Sequence, residues 1–165
     1  GKRGLRDLGE KLPPAKVAVI PEADARRAVL AAQRTGRALT AFELFGRDVE
    51  RRYFSVTVRG GFEIVASIES QSCFGNAFLE LLEGPRTDAE RVATAAAIRS
   101  LCDKLLAEEA VSCFALAPSD DVSLASVFLH NGFRRSGLLL DHLVVGGGRK
   151  DAIVWSRKLA VPSEA

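Results

Sequence analysis

Taking a proton from a reacting group needs a carboxylate or an imidazole in a suitable setting, and this sequence offers 21 acidic residues but only two histidines. Glu63, Glu69, Glu80 and Glu83 lie in or beside apolar, strand-like stretches. Glu80 and Glu83 are the candidate general bases, because they stand where the last of those stretches gives way to a helix. The alternation of Glu63, Glu69 and Glu80 with apolar residues also fits a solvated sheet face. His130 closes a short apolar segment and is expected to favour a helix C-terminus through its dipole. His142 reads as a strand-surface residue, and Tyr53, the only tyrosine, as packing or capping a sheet edge. Cys73, Cys102 and Cys113 form no Cys-x-x-Cys pair, and two histidines give no zinc spacing, so no metal is expected. Cys102 and Cys113 read as small core hydrophobes in a reducing, cytoplasmic setting. Cys73, in the polar run 70–73, is the one to test for reactivity. No Ser/His/Asp or Cys/His triad emerges from the spacing.

The elements that must position these groups follow from periodicity. Lys16–Ile20 is a short β-branched strand closed by Pro21, and Glu22–Thr35 an Ala-rich helix stopped by Gly36. Ala38–Phe45, Arg52–Val58, Phe62–Ser70 and Asn76–Leu82 are four candidate strands, the second and third joined by a Gly60-Gly61 hairpin. Short connections predict an antiparallel meander. Thr87 and Glu90 form a capping box that opens a long helix to Ala107, with Ile98, Leu101, Cys102 and Leu105 on one face. Val111–Leu116 follows as a strand. A short helix around Leu124, Val127 and Phe128 then ends at Asn131-Gly132. Leu138–Val145 and Asp151–Leu159 make a last hairpin around Gly146-Gly147-Gly148. The order predicts a mixed α/β (α+β) fold: a mostly antiparallel sheet, a strand–long helix–strand parallel crossover, and a C-terminal hairpin.

At 165 residues, and roughly 150 per domain, one domain is expected. It spans 16–160, after a Gly- and Pro-bearing lead-in (1–15) and before a short tail (161–165). The formal charge of +2 is too balanced for a basic groove built on nucleic-acid phosphates. No apolar run is long enough to span a bilayer as a helix, and no signal-peptide pattern is present. The sequence holds no methionine, so Gly1 reads either as a tag remnant or as the start of a piece cut from a longer protein.

That element order, with Phe128-Leu129-His130-Asn131-Gly132-Phe133-Arg134 and the closing Trp155-Ser156-Arg157-Lys158-Leu159, resembles the GNAT superfamily of N-acetyltransferases. The likeness is sharpest over Ser112 to Leu159 and topological elsewhere. It implies direct transfer of an acyl group, most simply from acetyl-CoA, to an amine on a small molecule or protein. In that family a Gln/Arg-x-x-Gly-x-Gly/Ala loop holds the donor's pyrophosphate at the start of the long helix. The equivalent stretch here is Gly84-Pro85-Arg86-Thr87-Asp88-Ala89-Glu90-Arg91-Val92-Ala93. Aligned on Pro85, Asp88 and Arg91 take two motif positions and only the last small residue, Ala93, is kept. The resemblance places donor contacts at Leu81, Leu82, Arg86, Asp88, Ala89, Arg91 and Ala93, and matches Asp121 to a common Asn. Phe128 stands where many members carry a Tyr that protonates the departing thiolate. His142 falls on the acceptor side. Three readings stay open: an acetyl-CoA-dependent N-acyltransferase, a catalytically inactive binding or regulatory module of the same fold, and a relative using a charged transfer RNA. The net charge gives the last little support. A homodimer is compatible with all three.

Overall fold

The computed structural model describes residues 12–42, 50–71, 75–145 and 148–160. Cys73, Phe45, Gly146, Gly147, most of the lead-in and the whole tail lie outside them. Among the described residues seven strands form one sheet, in the order β1-β2-β3-β4-β5-β7-β6. They are β1 (Ala15–Ile20), β2 (Glu50–Val58), β3 (Phe62–Gln71), β4 (Asn76–Leu81), β5 (Ser112–Pro118), β6 (Arg134–Val145) and β7 (Gly148–Lys158). Helix α1 (Glu22–Arg34) follows β1, α2 (Asp88–Ala107) links β4 to β5, and α3 (Val122–His130) links β5 to β6. Every strand pairing is antiparallel except β4 with β5. The expected mixed sheet, its parallel crossover and its closing hairpin are therefore all present.

The two faces of the sheet are covered differently. Alternation along β3 sends Ile64, Ala66 and Ile68 to the main core, and Val65 to a smaller cluster with Ala25, Val29, Phe42 and Tyr53. Helix α2 fills the first face. Its Ile98, Leu101, Cys102 and Leu105 are at most 2% exposed, and burying each large apolar side chain contributes about 1.5–3 kcal/mol. Ala93, Ala95, Ala96 and Ala97 are buried beside them, bringing the helix close to the strands. The capping box forms as read: Thr87 Oγ1 accepts from Glu90 N–H at 3.1 Å. The Glu90 carboxylate reaches back to Arg86 N–H at 2.9 Å. Helix α3 closes on Asn131, whose Nδ2 donates to Ala95 O and Val127 O, and on Gly132 at φ 78°. Phe128, Phe133 and Trp155 stack beneath it, with centroids 5.1 and 5.9 Å from Phe128.

Several expectations change: β7 starts at Gly148, three residues earlier than expected, and β2 at Glu50, two earlier. The stretch Ala38–Phe45 is not a strand over its described residues: Ala38 makes one isolated bridge to Glu83. Phe42 then adopts a left-handed φ of 53° while its N–H donates to Thr40 Oγ1, a local turn that no sheet ladder allows. β6 starts at Arg134, four residues earlier than expected, because Arg134 and Arg135 already pair with Ser156 and Trp155. β5 starts one residue later and runs on to Pro118.

Candidate functional site

Parallel pairing of β4 with β5 runs from Asn76–Ser112 to Leu79–Ala115 and stops there. Both strands continue, β4 to Leu81 and β5 to Pro118, so they part. A cleft of about 1050 Å³ opens at this fork, on the face of the sheet that carries α1. Phe78 and Phe114, opposite each other in the register and stacked at 5.4 Å, line it. Leu39 to Ala41 line one side, and Leu139, Leu143 and Val144 of β6 another. A cleft at the ends of parting strands is where open α/β sheets hold ligands.

The polar part of the lining is small. Glu80 follows the last paired residue of β4 and, with Glu69 and His142, lines the cleft. Antiparallel register sets Ser67 against Glu80 and Arg51 against Glu69, so both carboxylates and Arg51 share one face. The Arg51 side chain is 3% exposed. It donates to Glu69 and to Phe42 O, and lies 3.5 Å from Glu80. Burial works against its charge, but hydrogen bonds with Glu69 and Tyr53 and the charges of Glu69 and Glu80 outweigh this, so its pKa ends above the ordinary value. Thr40 donates its hydroxyl to Glu80 Oε2. The left-handed turn at Phe42 thus serves the site twice, aiming Thr40 at Glu80 and offering Arg51 a carbonyl.

Glu83 lies elsewhere. It sits 3.3 Å from Arg37 and lines a small pocket beneath the β4–α2 loop, with Gly84, Pro85 and Glu90. Arg37 is the hub of that loop, donating to Gly84 O at 3.2 Å and holding Glu90 at 3.1 Å. The hydrogen bond from Arg37, then that from Arg86 N–H, lowers the Glu90 pKa below the usual carboxylate value. Glu63 lines the same small pocket. Tyr53 is buried at 6% exposed against Phe42, and so packs rather than caps an edge.

The residues assigned to a donor divide into buried and exposed groups. Leu81, Leu82 and Ala93 are core side chains. Arg86, Asp88 and Ala89 are exposed in and just before the first turn of α2, and Asp88 pairs with Arg91 at 3.4 Å. Asp121 caps α3 by accepting from Leu124 N–H at 3.0 Å. Its other oxygen lies 3.2 Å from where a Cβ on Gly84 would stand, so the glycine lets the two loops approach. A thioester on a flexible arm fits the fork, because β4 beyond Leu79 is free of β5. A pyrophosphate resting on backbone amides does not fit the start of α2, where Glu90 already takes Arg86 N–H and brings a negative charge.

Phe128, 1% exposed in the aromatic stack, has no proton to offer and faces the core. His130 stands in the last turn of α3, at the helix C-terminus where it was expected. Desolvation and then the nearby Arg91 charge push its pKa down. Cys102 and Cys113 are buried free thiols, as expected, and they share a side-chain hydrogen bond. Sequence reasoning missed Arg37, Thr40 and Arg51; only their places in irregular loops or charge runs hinted at them. Among the described residues no His/Cys/Asp/Glu group could hold a metal, and no helix is long and apolar enough to cross a membrane.

No protein-family model and no curated protein matches the sequence. Solved structures do match the fold. The ribosomal-protein alanine N-acetyltransferase from Escherichia coli aligns at a TM-score of 0.63 and 16% identity, covering 92% of this chain and 97% of that one. Spermidine N-acetyltransferase from Vibrio cholerae, solved with CoA and spermine, aligns at 0.67 and 13% identity, covering 88% and 95%. A dodecameric form of that enzyme aligns at 0.66 and 13%, covering 88% and 94%. The chain thus shares the fold of GNAT N-acetyltransferases.

Proposed function

We propose that the chain is an acyl-CoA-dependent N-acyltransferase, with acetyl-CoA as donor and an amine on a small molecule or protein as acceptor. The observation that carries this reading is the fork of β4 and β5 beyond Leu79 and Ala115, with Glu80 at its root and facing the cleft. The donor's thioester supplies a carbonyl to which the amine nitrogen bonds as the C–S bond breaks. Glu80 handles the proton. Held by Thr40 and near Arg51, its carboxylate takes the proton the amine loses, directly or through a water. Glu83, tied to Arg37 away from the cleft, is not the base in this reading. The thiolate leaves unaided, since thiol pKa values near 8.5 make it a fair leaving group. Leu81 meets the donor arm through its backbone, since the Leu82 N–H and carbonyl are already taken by Val65 and Leu39. The donor's phosphates rest on the Arg86 and Arg91 side chains, beside Asp88 and Ala89, and not on the α2 amides. Ala93 and Asp121 hold the scaffold. The free core thiols suit a cytoplasmic setting.

The Glu90–Arg37 lock and the buried Phe128 favour a second reading, a binding module without catalysis. Titration calorimetry with acetyl-CoA on the native chain and on Glu90→Ala separates the two, paired with an assay of thiol release over an amine panel. Micromolar binding, tightened by Glu90→Ala, with thiol release is the expected result. Binding without release in either protein supports the module. No binding at millimolar acetyl-CoA in either protein sinks the transferase.

A further inference from the structure

The cleft is asymmetric in a way that specifies its occupant. Its apolar walls come from Leu39, Phe78, Phe114, Leu116, Leu139 and Leu143, and its acidic groups, Glu69 and Glu80, share one end. Those carboxylates do not act as a pair of free charges. Arg51, 3% exposed beneath them, is bonded to Glu69 and lies 3.5 Å from Glu80. Arg51 thus pairs with both carboxylates, and Glu69 is 14% exposed and Glu80 32% exposed, so the shallower one, Glu80, faces the opening. Two carboxylates and one guanidinium leave a single negative charge at this end of the cleft among the described residues. That charge sits beside a broad apolar wall. Phe78 and Leu139 are 40% and 38% exposed.

We infer that the acceptor site selects a monocationic amine with an apolar body, and selects against polyamines. The ammonium pairs with Glu80 and the hydrocarbon or aryl body lies on Phe78, Phe114 and the β6 leucines. A second cation further along the ligand would lie on this apolar wall with no counter-charge among the described residues, and a desolvated unpaired charge is costly. The inference names the acceptor class for the transferase site proposed above and rests on that site. It is tested by binding alone, so the two fail separately.

Calorimetric titration of the full chain, without any donor, uses n-hexylamine, 2-phenylethylamine, n-propylamine, spermidine and 1-hexanol as probes. Hexylamine and phenylethylamine are expected to bind. Propylamine should bind more weakly by up to about 60-fold, since each of three buried methylenes is worth about a factor of four. Spermidine and hexanol should each bind at least 10-fold more weakly than hexylamine. Glu80→Gln should erase the preference for hexylamine over hexanol, with circular dichroism unchanged. Leu139→Glu, at an already exposed edge-strand position, adds a carboxylate along the wall and should raise spermidine affinity at least 10-fold. Spermidine binding the native chain as tightly as hexylamine overturns the inference, as does hexanol matching hexylamine. Supplying acetyl-CoA afterwards tells the rest. Hexylamine bound but never acetylated leaves the inference standing and removes the transferase, whereas acetylation of spermidine in preference to hexylamine does the reverse.

Discussion

Replacing Arg51 by Met removes the charge that allows two carboxylates to sit under the cleft. The hydrocarbon stem is nearly preserved, so packing is retained while the ion pair with Glu69, the bond to Phe42 O and the attraction to Glu80 at 3.5 Å are lost. At an effective dielectric of about 20, the last alone is a gross interaction of about 5 kcal/mol. The measured loss is smaller, because removing the guanidinium also removes its own desolvation penalty. Breaking a buried pair by deleting one partner costs about 3–5 kcal/mol. With a urea m-value of about 2 kcal/mol/M, the denaturation midpoint should fall by about 2 M at neutral pH with m unchanged. Adding Glu69→Gln should recover at least half of that loss, since the deeper carboxylate no longer lies uncompensated. A midpoint shift below about 0.5 M in the single variant would refute the account of Arg51 as a buried counter-charge. Failure of Glu69→Gln to restore any of a large loss would trace the damage to the Phe42 turn instead.

Three further outcomes are expected. Glu108, bonded to Arg52 and Lys104, has its pKa lowered to about 2, so its contribution is full above about 4.5 and is lost as pH falls toward 2. Glu108→Gln should therefore destabilise at pH 7 by only about 1 kcal/mol, given its partial exposure, and the difference from the native chain should close by pH 2 in urea titrations. His130, depressed by burial and then by Arg91, should titrate below 6.5 by NMR; its contribution is lost as pH falls from 6.5 through the folded value, and Arg91→Ala should move its midpoint upward. Thr87→Ala removes the cap on α2 and should cost about 1 kcal/mol, lowering the melting temperature by about 2–4 °C.

Much of the scaffold was legible because its signals are local. The capping box of Thr87 and Glu90, the apolar stripe from Ile98 to Leu105 and the Asn131-Gly132 stop each act within a few residues, so sequence spacing carries them. The thiols of Cys102 and Cys113 were placed by the same periodicity. The stretch after α1 was not legible. Alternation in Ala38–Phe45 mimics a strand, and only the turn at Thr40 and Phe42, stabilised by Arg51 from another element, decides otherwise. Arg51 itself looks like one member of a surface charge run, Glu50-Arg51-Arg52. Its role depends on register with Glu69 across β2 and β3, which no local pattern encodes. Glu80 could be proposed from its position at the end of a strand, but its partnership with Thr40 could not.

The single parallel pairing has a consequence for how the molecule assembles. Strands β1 to β4 form one antiparallel unit, and β5 to β7 form another, closed by a hairpin. Only four register pairs, Asn76–Ser112 to Leu79–Ala115, stitch the sheet across the seam, with α2 laid over it. Each unit can begin to form from contacts near in sequence, whereas the seam must wait for α2 to swing the second unit into place. The cleft exists only once the seam has closed. A ligand touching both Phe78 and Phe114 is thus a clasp on the seam: at 100 times its dissociation constant it holds the halves together by about 2.7 kcal/mol. Local opening of this protein should begin where it binds, and be slowed first by what it binds.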